Sequence, residues 1–265
     1  MIYDSDINIA SLGINGDFHI KGIFDRIIDD MYLDQIIETI TLKDYNRILF
    51  LGVEEIDLCI GLAKKLPEVK IVAVDNNEEI IKEMRRKVIR EDLQNISFIY
   101  NSRSNLPFED NNFDIIILKN YLHLHCRVEK VLKEIKRLLK DHGGLFILET
   151  ITNVEDNRFM DEFLKLKDNN HVKTYNEEEI ILLLNKVGMD LKDKFKTSTK
   201  YVTNKIKSYE TIKKKYEASI DKYDVTMNNC RITLSTEVIN LYLIKKEVDS
   251  TTWIIPPFCV SINYR

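Results

Sequence analysis

Glycine is scarce in this chain, which has only eight glycines in 265 residues. That is less than half of the usual share of roughly 7%. A glycine-rich loop that binds phosphate or a dinucleotide needs several glycines close together, as in GxGxxG or GxxxxGK[ST]. Neither pattern occurs in the sequence. Their absence excludes a P-loop nucleotide hydrolase and a standard NAD dehydrogenase.

Clustered cysteines and long apolar runs are missing as well. The four cysteines are widely separated and form no CxxC motif, so we expect reduced thiols, with neither a metal site nor a disulfide framework. Cys126 is interpreted as an ordinary buried thiol. No apolar run approaches the roughly 20 residues of a membrane span, and the acidic first residues do not resemble a signal peptide. We therefore expect a cytoplasmic protein without a membrane segment.

The composition is that of a globular chain, with 44% hydrophobic residues, 31% charged residues and a net charge of −4. Residues 190–216 are lysine-rich and contain interleaved aromatics, a pattern that can follow a nucleic-acid backbone. The chain as a whole is slightly acidic, however, and contains no second basic block. We therefore interpret the stretch as a solvated, lysine-rich helix and do not expect a nucleic-acid partner.

Short apolar runs alternate with amphipathic segments along the first two thirds of the chain. Strands are predicted at 47–52, 70–75, 96–100, 113–118 and 144–149, with a closing strand at 232–244. Helices are predicted at 20–40, 57–66, 77–90, 128–139, 154–166 and 177–187. This alternation indicates an α/β fold with a parallel sheet and helices on both faces.

In an open parallel sheet, ligands bind beyond the carboxyl ends of the strands. Asp75 ends the second predicted strand. A carboxylate at this position offers two acceptor oxygens, which match the two adjacent hydroxyl groups of a ribose. A turn or helix-capping role for Asp75 explains the position equally well, so both interpretations stay open.

Residues 105–149 contain a series of motifs in a fixed order. These are Leu106-Pro107-Phe108, Phe113-Asp114, Leu122-His123 and Gly143-Gly144, the last after a predicted helix. In this order they resemble the class I S-adenosylmethionine (SAM) methyltransferases, especially the small-molecule group that includes quinone-biosynthesis enzymes. The resemblance covers roughly residues 20–190. It implies a Rossmann-like, seven-stranded and mostly parallel sheet whose seventh strand is reversed, with SAM as the cofactor.

The resemblance also implies where the cofactor contacts lie. The ribose would meet Asp75, and the adenine would lie beside Asn76 and the segment after the third strand. The methionine part would meet the loop after the first strand. The cofactor-binding candidates are Gly52, Glu54, Asp75, Asn76, Ser102, Arg103 and Leu118.

Four positions depart from the family pattern at places of ligand chemistry. Phe50 replaces an acid, Glu54 and Ile56 replace the second and third glycines, and Ser102 replaces the adenine-binding acid. Glu54 would place a carboxylate near that of SAM, where like charges repel. Ile56 is stiff and β-branched, so it would protrude into the cofactor space or displace the loop. These changes make SAM binding doubtful.

His123 is the candidate catalytic residue, as a general base or a substrate contact. A packing role at the start of a helix explains it as well. The HxH pair that it forms with His125 has no third ligand in register, so no metal site is predicted. The candidates for a lid over the substrate are His19, Phe24, Tyr121 and Tyr175, although simple packing is favoured for all four.

We divide the chain into five segments. They are an N-terminal helical cap at 1–46, a Rossmann-like core at 47–200, a lysine-rich insertion at 201–229, the closing strand of the core at 230–249 and an apolar tail at 250–265. The tail contains the only tryptophan, and we expect it to dock on its own domain or on a second copy. The insertion and the tail are therefore candidate surfaces for a homodimer or a partner protein.

The predicted function is SAM-dependent methyl transfer to a small molecule in a biosynthetic pathway. An alternative is a methyltransferase fold that has lost SAM and acts as a non-catalytic binding partner or subunit. A third possibility is different chemistry in the same cleft. The altered residues after the first strand leave all three open.

Overall fold

The structure is a computed structural model that describes residues 33–34, 36–38, 46–52, 56–101, 105–156, 158–228 and 231–246. Its parallel strands are β1 (Arg47–Leu51), β2 (Lys70–Asp75), β3 (Ile96–Tyr100), β4 (Phe113–Lys119) and β5 (Leu139–Thr150). Three further strands are β6 (Met189–Thr203), β7 (Asp224–Met227) and β8 (Ile232–Lys245). The helices are α1 (Ile56–Lys65), α2 (Glu78–Arg90), α3 (Val128–Leu138), α4 (Phe159–Lys165), α5 (Glu177–Lys186), α6 (Ile206–Lys215) and α7 (Glu217–Ile220).

These strands form one sheet in the order β3-β2-β1-β4-β5-β8-β6, with β7 paired to β8. Strands β1 to β5 run parallel, whereas β8 is antiparallel to both β5 and β6. The reversed strand β8 lies near the end of the chain, as predicted, and the structure places it between β5 and β6. The order reverses between β1 and β4, and a ligand crevice is expected at such a switch point.

Helices cover both faces of this sheet, which explains why the central strands are apolar throughout. All seven residues of β4 are buried. One face carries a core cluster that includes Leu118, Leu132 and Ile180, from β4, α3 and α5. The other face carries a cluster that includes Phe50, Leu58 and Met84, from β1, α1 and α2. Each strand therefore contributes alternate side chains to two different cores.

Side-chain caps are present at two helix starts. The side chain of Asn77 accepts hydrogen bonds from the backbone N–H groups of Glu79 and Ile80 at the start of α2. At α5, Asn176 and Glu179 form a capping box in which each side chain binds the backbone of the other residue. Such caps satisfy donors that a helix leaves unpaired, so they determine where α2 and α5 begin.

The interpretation of residues 190–216 as a helix is wrong for its first half. Residues 189–203 form the long strand β6, and a helix (α6) begins only at Ile206. Exposure alternates along β6 with the two-residue period of a strand. Its lysines are largely paired, since Lys194 and Lys196 both contact Glu177.

Two other predicted elements differ in extent, and one strand was not predicted. The helix expected at 154–166 is only α4, because residues 154 and 155 form a turn and Arg158 has a left-handed backbone with φ of 72°. Strand β5 begins at Leu139 rather than 144, with a register shift against β4. Strand β7 makes the sheet eight-stranded. Most of the 1–46 cap and the whole 250–265 tail lie outside the described residues.

Within the described ranges, every helix is too short or too polar to cross a bilayer.

Candidate functional site

The carboxyl ends of β1 and β4 meet at Gly52. This residue has a left-handed backbone with φ of 82°, and a Cβ added to it would lie 2.2 Å from the carbonyl oxygen of Lys119. Only glycine combines this conformation with such a close approach at low cost. The same added Cβ would lie 3.3 Å from the Cβ of Tyr121. Gly52 therefore brings the loop after β1 against the turn after β4.

Asp75 lies at the neighbouring strand end and is 9% exposed. Its Oδ1 accepts a hydrogen bond from the backbone N–H of Asn77 at 2.7 Å, so the turn role considered for it is present. Tyr121 faces the same region. Burial, and secondly the negative charge of Asp75, raise the pKa of the Tyr121 phenol to about 12. Gly52, Asp75 and Tyr121 thus come together at one edge of the sheet.

Two other cofactor candidates are placed by the structure. Asn76 is exposed beside Asp75. Leu118 is fully buried in the core cluster of α3 and α5, so its side chain faces away from solvent. Phe50, at the position of the missing family acid, is fully buried in the opposite cluster and is a core residue.

Several sequence candidates lie outside the described residues. They are His19, Phe24, Glu54, Ser102 and Arg103, and the side chain of Ile56 belongs with them although α1 begins there. The expected effect of Glu54, Ile56 and Ser102 on SAM therefore stays a prediction.

Glu149 organises the turn that follows β4. This carboxylate at the end of β5 is fully buried. Its Oε2 accepts the backbone N–H groups of Tyr121 and Leu122, each at 3.0 Å. Its Oε1 accepts the backbone N–H of His123 at 3.3 Å and lies 2.7 Å from Nδ1 of the His123 ring. One carboxylate therefore holds three consecutive residues of the turn.

A second carboxylate–imidazole pair lies behind the first. The rings of His123 and His171 stack with centroids 5.2 Å apart. His171 Nε2 lies 2.9 Å from Oδ1 of Asp161, which also accepts the backbone N–H of Thr174. Burial acts to raise the pKa of Asp161, but the hydrogen bonds from His171 and Thr174 together outweigh it and keep that pKa below its usual range. The two pairs join the turn after β4 to the segment before α5.

A pocket of about 600 Å³ opens beside this second pair. Its walls are the segment after β5, which includes Thr152 and Asp156, and the segment before α5, which includes Thr174 and Tyr175. Tyr175 is largely buried, and its pKa is raised first by burial and then by nearby carboxylates. Asp161 lines the same pocket. The lining therefore combines charged and polar groups with apolar side chains.

Two tyrosines of residues 201–229, the predicted insertion, contact the chain around the end of β5. The hydroxyl of Tyr201 lies 2.6 Å from Oγ1 of Thr150. The hydroxyl of Tyr223 lies 2.8 Å from Oγ1 of Thr152 and donates to the carboxylate of Asp156. Behind these contacts, α4, α6 and β8 share a small apolar cluster of their own. The insertion is therefore packed against the segment that lines the pocket.

Cys126 also lines the pocket, and the interpretation of it as a buried thiol is wrong. It follows the turn of His123 and precedes α3, where the chain is exposed. Cys59, in contrast, is buried in α1, where desolvation raises the pKa of its thiol far above the usual range. Within the ranges that the structure covers, no three His, Cys, Asp or Glu side chains form a group that could hold a metal ion.

Sequence analysis identified Asp75 and His123 but missed Glu149, Asp161 and His171. Glu149 could have been noticed, because it is an acid at the carboxyl end of an apolar strand, as Asp75 is. His171 and Asp161 lie in irregular or short segments that carry no such periodic signal. Their pairing became visible only from the tertiary structure.

The residues at the switch point fit a nucleoside-type ligand such as SAM in two respects. Gly52 keeps the loop after β1 close against the turn after β4, and Asp75 places a carboxylate at the next strand end. The sheet is that of the class I SAM methyltransferases, and these residues lie at the carboxyl ends of β1, β2 and β4.

Comparison with known proteins agrees with this class. A family profile described as a methyltransferase domain matches residues 55–208. Because that match covers more than half of the chain, the chain belongs to the methyltransferase-domain family. A putative methyltransferase from Bacillus halodurans has a similar fold, with a TM-score of 0.70 and 18% identity over 81% of this chain and 99% of that one.

Curated relatives are similar over shorter lengths. A demethylmenaquinone methyltransferase from Listeria monocytogenes is 32% identical over 107 residues, which are 37% of this chain and 45% of the relative. The demethylmenaquinone methyltransferase of Staphylococcus saprophyticus is 28% identical over 140 residues, which are 50% of this chain and 59% of the relative. The chain thus spans about half the length of the curated relatives that it matches.

Proposed function

We propose that the protein transfers a methyl group from SAM to a small molecule in a biosynthetic pathway. The observation that carries this proposal is the meeting of Gly52, Asp75 and Tyr121 at adjacent strand ends. The family membership and the similarity to quinone-biosynthesis methyltransferases support it.

SAM would supply a methyl group activated by its sulfonium sulfur. Asp75 would bind the ribose hydroxyls with its carboxylate oxygens, and Gly52 would let the backbone approach the cofactor closely. The other proposed contacts are Glu54, Asn76, Ser102, Arg103 and the main chain at Leu118. Binding would act mainly by orienting the methyl donor and the acceptor toward each other.

His123 is proposed as the general base for an acceptor that must lose a proton. The turn that carries it lies between the ends of β4 and β5, where an acceptor would approach. His19, Phe24, Tyr121 and Tyr175 are the proposed lid. The described pocket beside Tyr175 gives the acceptor room, and its polar lining favours an acceptor with polar groups.

The proposal is tested by calorimetric titration with S-adenosylhomocysteine, the product form of the cofactor. We expect micromolar affinity, about −8 kcal/mol. Asp75→Ala should weaken binding at least about tenfold, because hydrogen bonds to a charged group contribute about 1.5–3 kcal/mol.

The matched control is Asp114→Asn. Asp114 is a similarly buried carboxylate at the other end of β4, where it accepts the backbone N–H of Arg47 and pairs with Lys140. This variant should lose stability while the folded protein keeps its affinity.

The alternative is a fold that no longer binds SAM and serves as a binding partner or performs other chemistry. Its specific support is the set of Phe50, Glu54, Ile56 and Ser102. No heat of binding at millimolar ligand would favour it. Gain of binding on Glu54→Gly with Ile56→Gly would then identify the loop as the obstacle. The insertion and the tail are the proposed surfaces for a partner or a second copy.

A further inference from the structure

We propose that the pocket beside Tyr175 binds a carboxylate group of the methyl acceptor, with Arg158 and Tyr175 as the hydrogen-bond donors. The inference rests on the proposed function, because it takes this pocket as the place of the acceptor. It names the acceptor class, a small organic acid that is negatively charged at neutral pH. The cavity of about 600 Å³ has the size of a small-molecule site.

The hydroxyl group of Tyr175 is a donor without a partner. The residue is only 9% exposed and lines the pocket. Its hydroxyl makes no hydrogen bond within the described part of the chain, whereas most buried polar groups have a partner. Burial, and secondly the nearby carboxylates, raise the pKa of this phenol, so it keeps its proton at neutral pH. The hydroxyl can therefore donate to a ligand in the pocket.

Arg158 is anchored at one edge of its guanidinium group and unpaired at the other. Its Nε lies 3.3 Å from Oδ2 of Asp161, whose side chain is 5% exposed. Its two terminal nitrogens form no hydrogen bond with any residue that the structure describes. The planar fork of these nitrogens matches the two oxygens of a carboxylate. Arg158 can therefore bind such a group while Asp161 holds it in place.

The backbone of Arg158 is also constrained. Its φ of 72° is left-handed, which is uncommon for a residue other than glycine and is maintained only where the surrounding contacts hold it. The carboxylate of Asp161 is itself fixed by His171 and by the backbone N–H of Thr174. Residues in strained conformations cluster at ligand-binding sites. The placement of Arg158 at this pocket agrees with such a role.

Three carboxylates also line the pocket, but both oxygens of each one already accept a hydrogen bond from the protein. They belong to Asp156, Asp161 and Glu179. A carboxylate offers only acceptors. The hydrogen-bonding groups of the wall that have no protein partner therefore include the donors of Arg158 and Tyr175.

Lys173 adds a second positive charge to the wall. Its ammonium group lies 2.7 Å from Oε1 of Glu179 and 4.6 Å from the centre of the Tyr175 ring. Two cations beside three carboxylates leave no excess of positive charge. This balance suits a singly charged carboxylate better than a phosphate group, which carries nearly two negative charges.

Cys126 allows a direct test, because its thiol is exposed and lines the same pocket. The protein without cofactor is alkylated with iodoacetate or with iodoacetamide, which have similar shapes although only the first is a carboxylate. Mass spectrometry of the peptide that contains Cys126 gives the two rates. Their ratio is compared with that of N-acetylcysteine amide, a neutral thiol, and it cancels the thiolate fraction, which both reagents share.

We expect the ratio at Cys126 to favour iodoacetate by about two- to threefold over the neutral thiol. One positive charge about 6–8 Å away has this effect in water. A ratio no higher than that of the neutral thiol overturns the proposal. This measurement needs no variant, so it decides even if a substitution in the pocket prevents folding.

Arg158→Asn should remove the preference for iodoacetate. Asparagine tolerates a left-handed backbone, so the variant isolates the loss of the guanidinium group. Lys165→Gln is the control, because it removes a positive charge from α4 where Lys165 pairs with Glu162 outside the pocket lining. It should keep the preference. An unchanged ratio in Arg158→Asn, or an equal loss in the control, would overturn the proposal.

Protection of Cys126 tests the ligand class. Benzoate should slow the reaction with iodoacetamide more than benzamide or inorganic phosphate does at the same concentration. Tyr175→Phe keeps the ring beside Lys173 and removes only the hydroxyl, and it should weaken the protection by benzoate at least about tenfold. Equal protection by benzamide, stronger protection by phosphate, or full protection in Tyr175→Phe would contradict the assignment.

Titration of the same samples with S-adenosylhomocysteine separates the two proposals, since the alkylation requires no cofactor. Missing binding of S-adenosylhomocysteine counts against the proposed function alone. A missing preference for carboxylates in a protein that binds S-adenosylhomocysteine counts against the assignment of the pocket alone.

Discussion

Gly52 is the residue at which backbone conformation and site geometry depend most directly on each other. Its left-handed φ and its contact with the Lys119 carbonyl both require the absence of a side chain. The other two glycines of the family loop are replaced. The retained glycine is therefore the one that the strand packing itself demands, whatever ligand binds.

Gly52→Ala should destabilise the protein by at least about 2 kcal/mol, through backbone strain and a clash with the Lys119 carbonyl. The measurement is urea unfolding. Gly61→Ala in α1 is the control, since its Cβ would meet only the flexible end of Leu33 at 3.2 Å. A gain of helix propensity of about 1 kcal/mol offsets that contact. Equal losses in both variants would contradict the assignment of strain to Gly52.

The raised pKa of the Tyr121 phenol predicts that the stability of the protein depends on pH. Its folded-state pKa is raised to about 12, so the unfolded phenol loses its proton first. The contribution of Tyr121 to stability is complete below about pH 10 and falls by about 1.4 kcal/mol per pH unit up to about pH 12. Unfolding of the Tyr121→Phe variant should therefore vary less with pH in that window.

The control for this titration is Tyr100→Phe, at a tyrosine that is 51% exposed at the end of β3. It should keep the pH dependence of the wild type. Identical slopes for Tyr121→Phe and the wild type would show that the Tyr121 phenol titrates normally.

At the scale of elements, β6 shows how a lysine-rich sequence can form a strand. From Lys194 to Val202, exposed residues alternate with half-buried ones. One row of side chains is therefore in solvent, and the other is partly covered. The composition suggested a helix, but the two-residue period and the pairing with β8 decide the structure. Composition indicates how far a segment is exposed to solvent. Strand formation here also depends on pairing with residues of β8 about 40 positions away.

The tyrosine contacts between the insertion and the β5–α4 segment are an interaction between elements. Tyr223→Phe should cost about 1–3 kcal/mol, because Asp156 is 4% exposed and loses a donor. Thr152→Val should show a coupling of about 0.5–1.5 kcal/mol with it, as expected of two hydroxyls 2.8 Å apart. Urea unfolding of both single variants and the double variant measures this coupling. Strict additivity would show that the two hydroxyls contribute independently.

At the scale of the whole molecule, net charge and ion pairing act together against nucleic-acid binding. The chain carries a net charge of −4, and the β6 lysines Lys194 and Lys196 pair with Glu177 and Glu237. We expect no binding of single- or double-stranded DNA at about 0.15 M salt, where exposed charges are screened beyond about 8 Å. Fluorescence anisotropy measures this. Micromolar binding that weakens steeply with salt would contradict the expectation.

The predictions for β1 to β4, β8, α1, α2, α3 and α5 agree with the structure within one or two residues. Buried parallel strands such as β1, β2 and β4 are continuous apolar runs, and Asn77 marks the start of α2 by a local hydrogen bond. Asp75 could be placed for the same reason, since the end of a strand is a local property. The predicted extents of β5 and α4 were wrong, because a register shift changes β5 and a left-handed residue changes α4.

What the sequence by itself determined is therefore the order of strands and helices along the chain, and Asp75 and His123 as residues at the carboxyl edge of the sheet, where ligand binding is proposed. Only the tertiary structure decided that Glu149 holds His123, that His171 and Asp161 stand behind it, and that the insertion contacts the chain around the end of β5. The physical reason is the separation along the chain over which each interaction acts. Hydrophobic periodicity and capping act between neighbours, whereas a buried carboxylate finds its partners about 26 residues away, through the packing of two strands.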